Sequence, residues 1–263
     1  MIGLFFGSTD FPRLILKKVK KEKRKYFIID LTKNNVFKRD DNCYFINVGK
    51  FGQILKLVKK KNCNKVLFAG KINKPKFSNL KLDMTGIFYI PRIIKASKLG
   101  DAAILKEIIK ILAENKITVI RSNYFNSELT LSKGNYCKIK PDKFDKKNIK
   151  KGIYSLQKLN AHNHVQGLVV RNNLIIRKET LMGTKKMLQL IKKIKDYQGI
   201  LIKFPKKKQD IRADLPTIGL DTFKDCKKAG IKGIVLKSKQ NIFLDKDKCI
   251  NFANKNKMFI QII

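Results

Sequence analysis

Acidic residues are scarce in this chain: 20 Asp and Glu stand against 60 Lys and Arg in 263 residues, for a formal charge of +40 at neutral pH. Arginine is scarcer still, with eight among those 60 basic residues. Base-edge and bidentate phosphate readers rely on Arg, and the lysines run through every segment instead of gathering in a tail or stripe. The charge therefore reads as a solvated basic surface and argues against a specific nucleic-acid binder, although it attracts anionic substrates and anionic headgroups. Five cysteines, at 43, 63, 137, 226 and 249, form no close pair, which excludes a disulfide framework and a Cys-x-x-Cys metal knuckle and fits a reducing cytoplasm. The two histidines, His162 and His164, have no third ligand close in sequence, so they make a weak metal pair. No apolar run approaches the length of a bilayer span, and the start, Met1-Ile-Gly-Leu-Phe-Phe-Gly7, lacks the basic residues and long apolar stretch of a signal peptide. The expectation is a cytoplasmic protein with at most peripheral membrane contact.

What the chain does contain is an alternation of short β-rich runs with amphipathic helical runs, the pattern of an α/β protein with largely parallel sheets. Strands are predicted near 2–6, 26–30, 43–47, 65–69 and 117–120, with helices near 12–21, 50–61, 87–97 and 101–115. After a polar stretch with Gly134 and Pro141 come a helix near 145–159, paired strands around 166–178, a helix near 182–196 and a strand at 199–203. Strands near 232–236 and 258–262 flank a last helix at 246–256. This divides the chain into an N-terminal Rossmann-like domain over 1–130, a crossing at 131–145 and a C-terminal α/β domain over 146–263. The first strand ends at Gly7-Ser8-Thr9 without a full G-x-G-x-x-G, and a second strand ends at Gly70-Lys71. Ligands collect at such carboxyl ends of parallel strands.

The densest chemistry lies in Gln209-Asp210-Ile-Arg212-Ala-Asp214-Leu-Pro216-Thr217-Ile-Gly219, which places two carboxylates, a guanidinium and a hydroxyl together. Pro216 predicts a helix over 216–229 with Asp214 at or near its N-cap. Capping alone would account for an isolated Asp there. A phosphate site needs the same parts: a carboxylate for Mg²⁺, a planar fork such as Arg212, and a helix N-terminus. The run Lys206-Lys207-Lys208 abuts this segment.

These residues, together with Ile2-Gly-Leu-Phe-Phe-Gly7, Gly49-Lys-Phe-Gly-Gln-Ile54, Phe68-Ala-Gly-Lys-Ile-Asn-Lys-Pro75, Gly100-Asp101-Ala-Ala-Ile-Leu105 and Gly183-Thr184, give the chain its likeness. It resembles the LpxI-type UDP-2,3-diacylglucosamine pyrophosphatase family of lipid A biosynthesis along nearly its whole length. The resemblance implies two domains holding lipid and nucleotide between them, and a Mg²⁺-dependent hydrolase, with Mn²⁺ as a possible substitute, that cuts its substrate into UMP and 2,3-diacylglucosamine 1-phosphate. The family's essential aspartate falls on Asp214. Metal-ligand candidates are Asp214, Asp210 and Glu179. Candidates for substrate contact are Gly7, Lys71, Gln166, Gly183, Thr184, Gln209, Arg212 and Thr217, with Arg212 and Lys71 balancing phosphate charge. Peripheral contact with inner-membrane lipid and a homo-oligomer are compatible with this reading. The chain departs from the family pattern at Met182 and Lys185, where acids are usual, at Asn163-His164-Val165-Gln166, where the family has Asp-x-Gly-Gln, and at Ala102. Those departures keep open an alternative, a non-catalytic homologue that binds the UDP-lipid.

Overall fold

The computed structural model describes residues 1–72, 76–160, 165–192, 199–206 and 209–263. His162, Asn163 and His164 lie outside the described residues, as do Lys207 and Lys208. The chain forms two compact units: Met1–Ser127 with Gln209–Asp214, and Glu128–Lys208 with Leu215–Ile263.

In the first unit the elements are β1 (Ile2–Phe6), α1 (Phe11–Lys21), β2 (Tyr26–Asp30), β3 (Cys43–Phe45), α2 (Phe51–Lys60), β4 (Lys65–Ala69), α3 (Met84–Ser97), α4 (Asp101–Glu114) and β5 (Thr118–Ile120). Every sheet pairing is parallel, in the order β3-β2-β1-β4-β5. Strands flanked on both faces must be apolar throughout, and all five residues of β1 are buried. One side is filled by Phe5, Phe27, Ile29, Val66 and Phe68 against Ile54, Leu55, Val58 and Leu112 from α2 and α4. Phe5 and Phe68 meet edge to face at 5.0 Å. Helix α1 buries Phe11, Ile15 and Val19, four apart, with Pro12 in its first turn. Asp83 ties two helix starts together by accepting the backbone N–H groups of Gly86, at the start of α3, and of Gly52 and Gln53, at the start of α2. Burial pushes its carboxyl up, but these three donors outweigh burial and hold it below the usual carboxylate range.

The second unit contains β6 (Gly134–Asn135), α5 (Lys143–Asn160), β7 (Gly167–Arg171), β8 (Leu174–Lys178), α6 (Gly183–Gln189), β9 (Gly199–Lys203), β10 (Thr217–Ile218), α7 (Leu220–Lys228), β11 (Ile231–Leu236), β12 (Ile242–Phe243), α8 (Lys246–Lys255) and β13 (Phe259–Ile262). Its main sheet runs β6-β13-β11-β9-β7-β8. The sheet is mixed: β13, β11 and β9 are parallel, whereas β7, β8 and β6 join antiparallel. The β7–β8 hairpin turns through Asn172 and Asn173, both left-handed at φ 49° and 58°, as a two-residue turn requires.

Two expectations are corrected here. The helix expected near 182–196 runs from Gly183 to Gln189 with Leu190 as its C-cap, and 193–198 lie outside the described residues. The helix expected at Pro216 starts instead at Leu220, with Gly219 as N-cap, so Asp214 caps nothing there. Residues 217–218 pair with β12 in parallel register, and the N–H groups of Ile242 and Leu244 donate to the carbonyls of Pro216 and Ile218. Burial of Ile218, Ile242 and Phe243 in this small sheet outweighs the preference of Pro216 for a first helical turn. Gly219 has extended backbone, φ −158°, and a Cβ there would meet Leu244 Cβ at an ordinary 3.5 Å. Gly219→Ser should therefore stabilise the protein by a few tenths of a kcal/mol by adding a capping hydroxyl, read as a raised thermal midpoint. A lowered midpoint would contradict the N-cap assignment.

Candidate functional site

The first unit places three chain exits side by side, because β1, β4 and β5 are neighbours in a parallel sheet and end on the same edge. Beyond β1 and β4 the two backbones remain joined: Gly7 N–H donates to Ala69 O at 2.8 Å, Ser8 N–H to Lys71 O at 2.8 Å and Lys71 N–H to Ser8 O at 2.7 Å. A Cβ on Gly7 would sit 2.5 Å from the Lys71 carbonyl oxygen, and one on Gly70, at φ +86°, 2.7 Å from the Gly7 oxygen. Both glycines are thus required by close backbone approach. The sheet order reverses between β1 and β4, the place where open α/β sheets bind ligands.

Gln209–Asp214 returns from the second half of the chain to this edge. The N–H groups of Ala213 and Asp214 both donate to Asp210 O, at 3.1 and 3.0 Å, winding the segment into one turn. Ser122 N–H, just beyond β5, donates to Arg212 O at 2.7 Å, and Ala213 packs on the core beneath. Gln209 is buried and Asp214 half-buried. Arg212 grips Asp210 bidentately, with Nε to Oδ1 at 3.0 Å and Nη2 to Oδ2 at 2.7 Å. The guanidinium, helped by the Arg212 backbone N–H and opposed by burial, holds the Asp210 carboxyl below its usual range. A carboxylate therefore persists there throughout neutral pH.

In the second unit, buried Glu179 and Lys203 form a cluster with half-buried Thr184. Glu179 directly follows β8, and its N–H donates to Gly167 O at 2.8 Å. Lys203, the last residue of β9, is paired in register with Gly167. Lys203 Nζ lies 3.6 Å from Glu179 Oε1, with side-chain exposures of 6% and 5%. Thr184 Oγ1 donates to Glu179 Oε1 at 3.0 Å and accepts from Lys203 Nζ. Asn241, itself buried, fixes the strand end by donating to Lys203 O at 3.2 Å. Glu179 Oε2 is buried with no hydrogen-bond partner among the described residues.

Of the predicted site residues, Gly7, Lys71, Gln209, Asp210, Arg212 and Asp214 belong to the first unit, and Gln166, Glu179, Gly183, Thr184 and Thr217 to the second. Gln166 uses its carbonyl to accept from Phe204 N–H at 2.9 Å. Gly183 is left-handed, φ +83°, and Thr217 is exposed on β10. Lys203 was missed by the sequence reading, though a lysine closing the apolar run Gly199-Ile-Leu-Ile was its signal. The five cysteines are free thiols, and burial pushes Cys137 up to about 11 and Cys43 and Cys249 to about 12, so these three are poor nucleophiles. Among the described residues no group of three or more His, Cys, Asp and Glu is gathered to hold a metal. Mg²⁺ needs no such cage: one or two carboxylates completed by substrate phosphates and water suffice.

Two family models together match nearly the entire chain, the LpxI N-terminal domain over residues 1–129 and the LpxI C-terminal domain over 132–261. The chain belongs to the LpxI family. It is also similar to the UDP-2,3-diacylglucosamine pyrophosphatase LpxI of Caulobacter vibrioides, at 29% identity over 223 residues, covering 82% of this chain and 80% of the relative. LpxI membership agrees with the expected fold class, a parallel N-terminal sheet followed by a second α/β part. Among the described residues no helix is long and apolar enough to cross a membrane.

Proposed function

We propose that the chain hydrolyses the pyrophosphate of UDP-2,3-diacylglucosamine to UMP and 2,3-diacylglucosamine 1-phosphate in lipid A biosynthesis, with Mg²⁺ as cofactor. Family membership makes the chain a hydrolase. The observation that carries the reading is the Gln209–Asp214 turn, drawn out of the second half of the sequence and anchored at the carboxyl edge of the first unit's sheet. An anionic pyrophosphate there would meet Lys71 from the β4 exit and the N–H donors that Arg212 does not spend on Asp210. Asp214 either brings the cation to the pyrophosphate or positions the attacking water, and both roles require its ionised carboxylate.

The donor chemistry fits Mg²⁺. Asp214 and Asp210 offer hard oxygen ligands in the first unit, and in the second Glu179 retains a buried oxygen with no hydrogen-bond partner among the described residues. When bound, the ion would neutralise charge on the pyrophosphate oxygens. Gln166, Gly183, Thr184, Gln209 and Thr217 are assigned to substrate contact, and Lys203 joins them as a cation at a strand's carboxyl end.

Incubation of the purified protein with UDP-2,3-diacylglucosamine, with Mg²⁺ and with chelator, tests this. UMP and lipid monophosphate should form in Mg²⁺ and fail to form on chelation. The second reading, a non-catalytic binder of the UDP-lipid, is favoured by Met182 and Lys185, where LpxI-type sequences carry acids. Retained binding of the UDP-lipid with no turnover at any Mg²⁺ or Mn²⁺ concentration would establish it and overturn the first.

A further inference from the structure

Helix α3 leaves its apolar face in water. Met84 is 82% exposed, Ile87 54% and Phe88 72%, and Pro91 on the same stripe is also exposed. Their spacing at i, i+3, i+4 and i+7 puts all four on one side of the helix. Leu99, just past the helix end, adds a side chain 68% exposed. Ile94, 40% exposed, continues the stripe, and the exposed lysines Lys81, Lys95 and Lys98 border it. Of the acids nearby, Asp101 at the start of α4 is exposed, and the others are engaged. Asp83 is committed to three backbone N–H groups, and Glu107 and Glu114 of α4 hold Arg92, with Nε to Glu107 at 2.7 Å and both Nη atoms to Glu114 at 2.8 Å.

We infer that the exposed face of α3 docks this protein onto an anionic lipid bilayer, with Met84, Ile87, Phe88 and Leu99 entering the headgroup boundary and the three lysines meeting lipid phosphates. The combination is that of an interfacial helix: one apolar stripe that carries no acid, with a basic border. Lysine stems lie along the apolar surface while their ammonium groups reach the headgroups. Charge selects the occupant. A second copy of a chain carrying +40 would be repelled from this face, whereas an anionic surface is attracted. The inference does not depend on the pyrophosphatase reading.

Co-sedimentation of the full chain with phosphatidylcholine vesicles containing phosphatidylglycerol, beside vesicles of phosphatidylcholine alone, reads it directly. The wild type should bind the anionic vesicles more tightly, and less so as salt rises. The double variant Ile87→Asp/Phe88→Asp should bind them about ten-fold more weakly or worse, with circular dichroism and thermal midpoint unchanged because both side chains are exposed. Its turnover of detergent-dispersed substrate should match the wild type, which separates failure of docking from failure of the enzyme. The chain has no tryptophan, so Phe88→Trp supplies a single reporter whose emission should move to the blue on anionic vesicles. Equal binding by wild type and double variant, no binding by either, or an unmoved emission from the Phe88→Trp variant would each overturn the inference. So would a wild-type dimer that the double variant converts to monomer, which would assign the face to a second copy.

Discussion

Asp214→Ala is expected to lower kcat/KM for UDP-2,3-diacylglucosamine by about three orders of magnitude or more, while unfolding free energy changes by less than about 1 kcal/mol. The two effects separate because the Asp214 side chain has no capping duty at α7. That position belongs to Gly219, and the turn holding Asp214 is closed by backbone bonds to Asp210 O and from Ser122 to Arg212 O. Asp214→Asn keeps the shape and one oxygen but removes the charge, so it should be nearly as inactive; a carboxylate is what either role demands. Assay of UMP release beside thermal unfolding checks both halves. A folded Asp214→Ala that retains turnover would remove this residue from the chemistry. One that unfolds would make it a structural residue, contrary to the half-exposed position the turn gives it.

The turn shows where reading a sequence succeeds and where it stops. The strands of the first unit were legible because a strand covered on both faces must be an apolar run, as Ile2–Phe6 and residues 66–69 are, and because Gly7 and Gly70 mark their exits. The chemistry of Asp210, Arg212 and Asp214 was legible as a clustering of residue types. Its location was not. The bond from Ser122 to Arg212 joins segments far apart in the chain, and no local pattern reports it. Pro216 misled for a related reason: its helix-start preference is local and worth little, whereas the pairing of Ile218 with Phe243 in a buried strand is set by tertiary contact. Lys203 escaped notice because a single lysine at the end of an apolar strand reads as a solvent tip until the fold buries it beside Glu179.

That burial yields the second large effect. Lys203→Met should destabilise the protein by about 3–5 kcal/mol, because it leaves the Glu179 carboxylate buried without the cation that faces it. Glu179→Gln should cost on the same order, by leaving the Lys203 ammonium buried opposite a neutral amide. Removing both charges together should cost well under the sum of the single changes, since neither charge then remains buried without its opposite. Chemical denaturation of the four proteins closes this cycle. Additive losses would mean that the two side chains act independently, and that the 3.6 Å pairing through Thr184 carries no coupling. A non-additive cycle would give the residue pair a structural reason for being where it is. Activity then decides what else the pair does: a double variant with restored stability but lost turnover gives Glu179 or Lys203 a part in the chemistry, whereas restored turnover confines the pair to holding β9 and the segment after β8 in register.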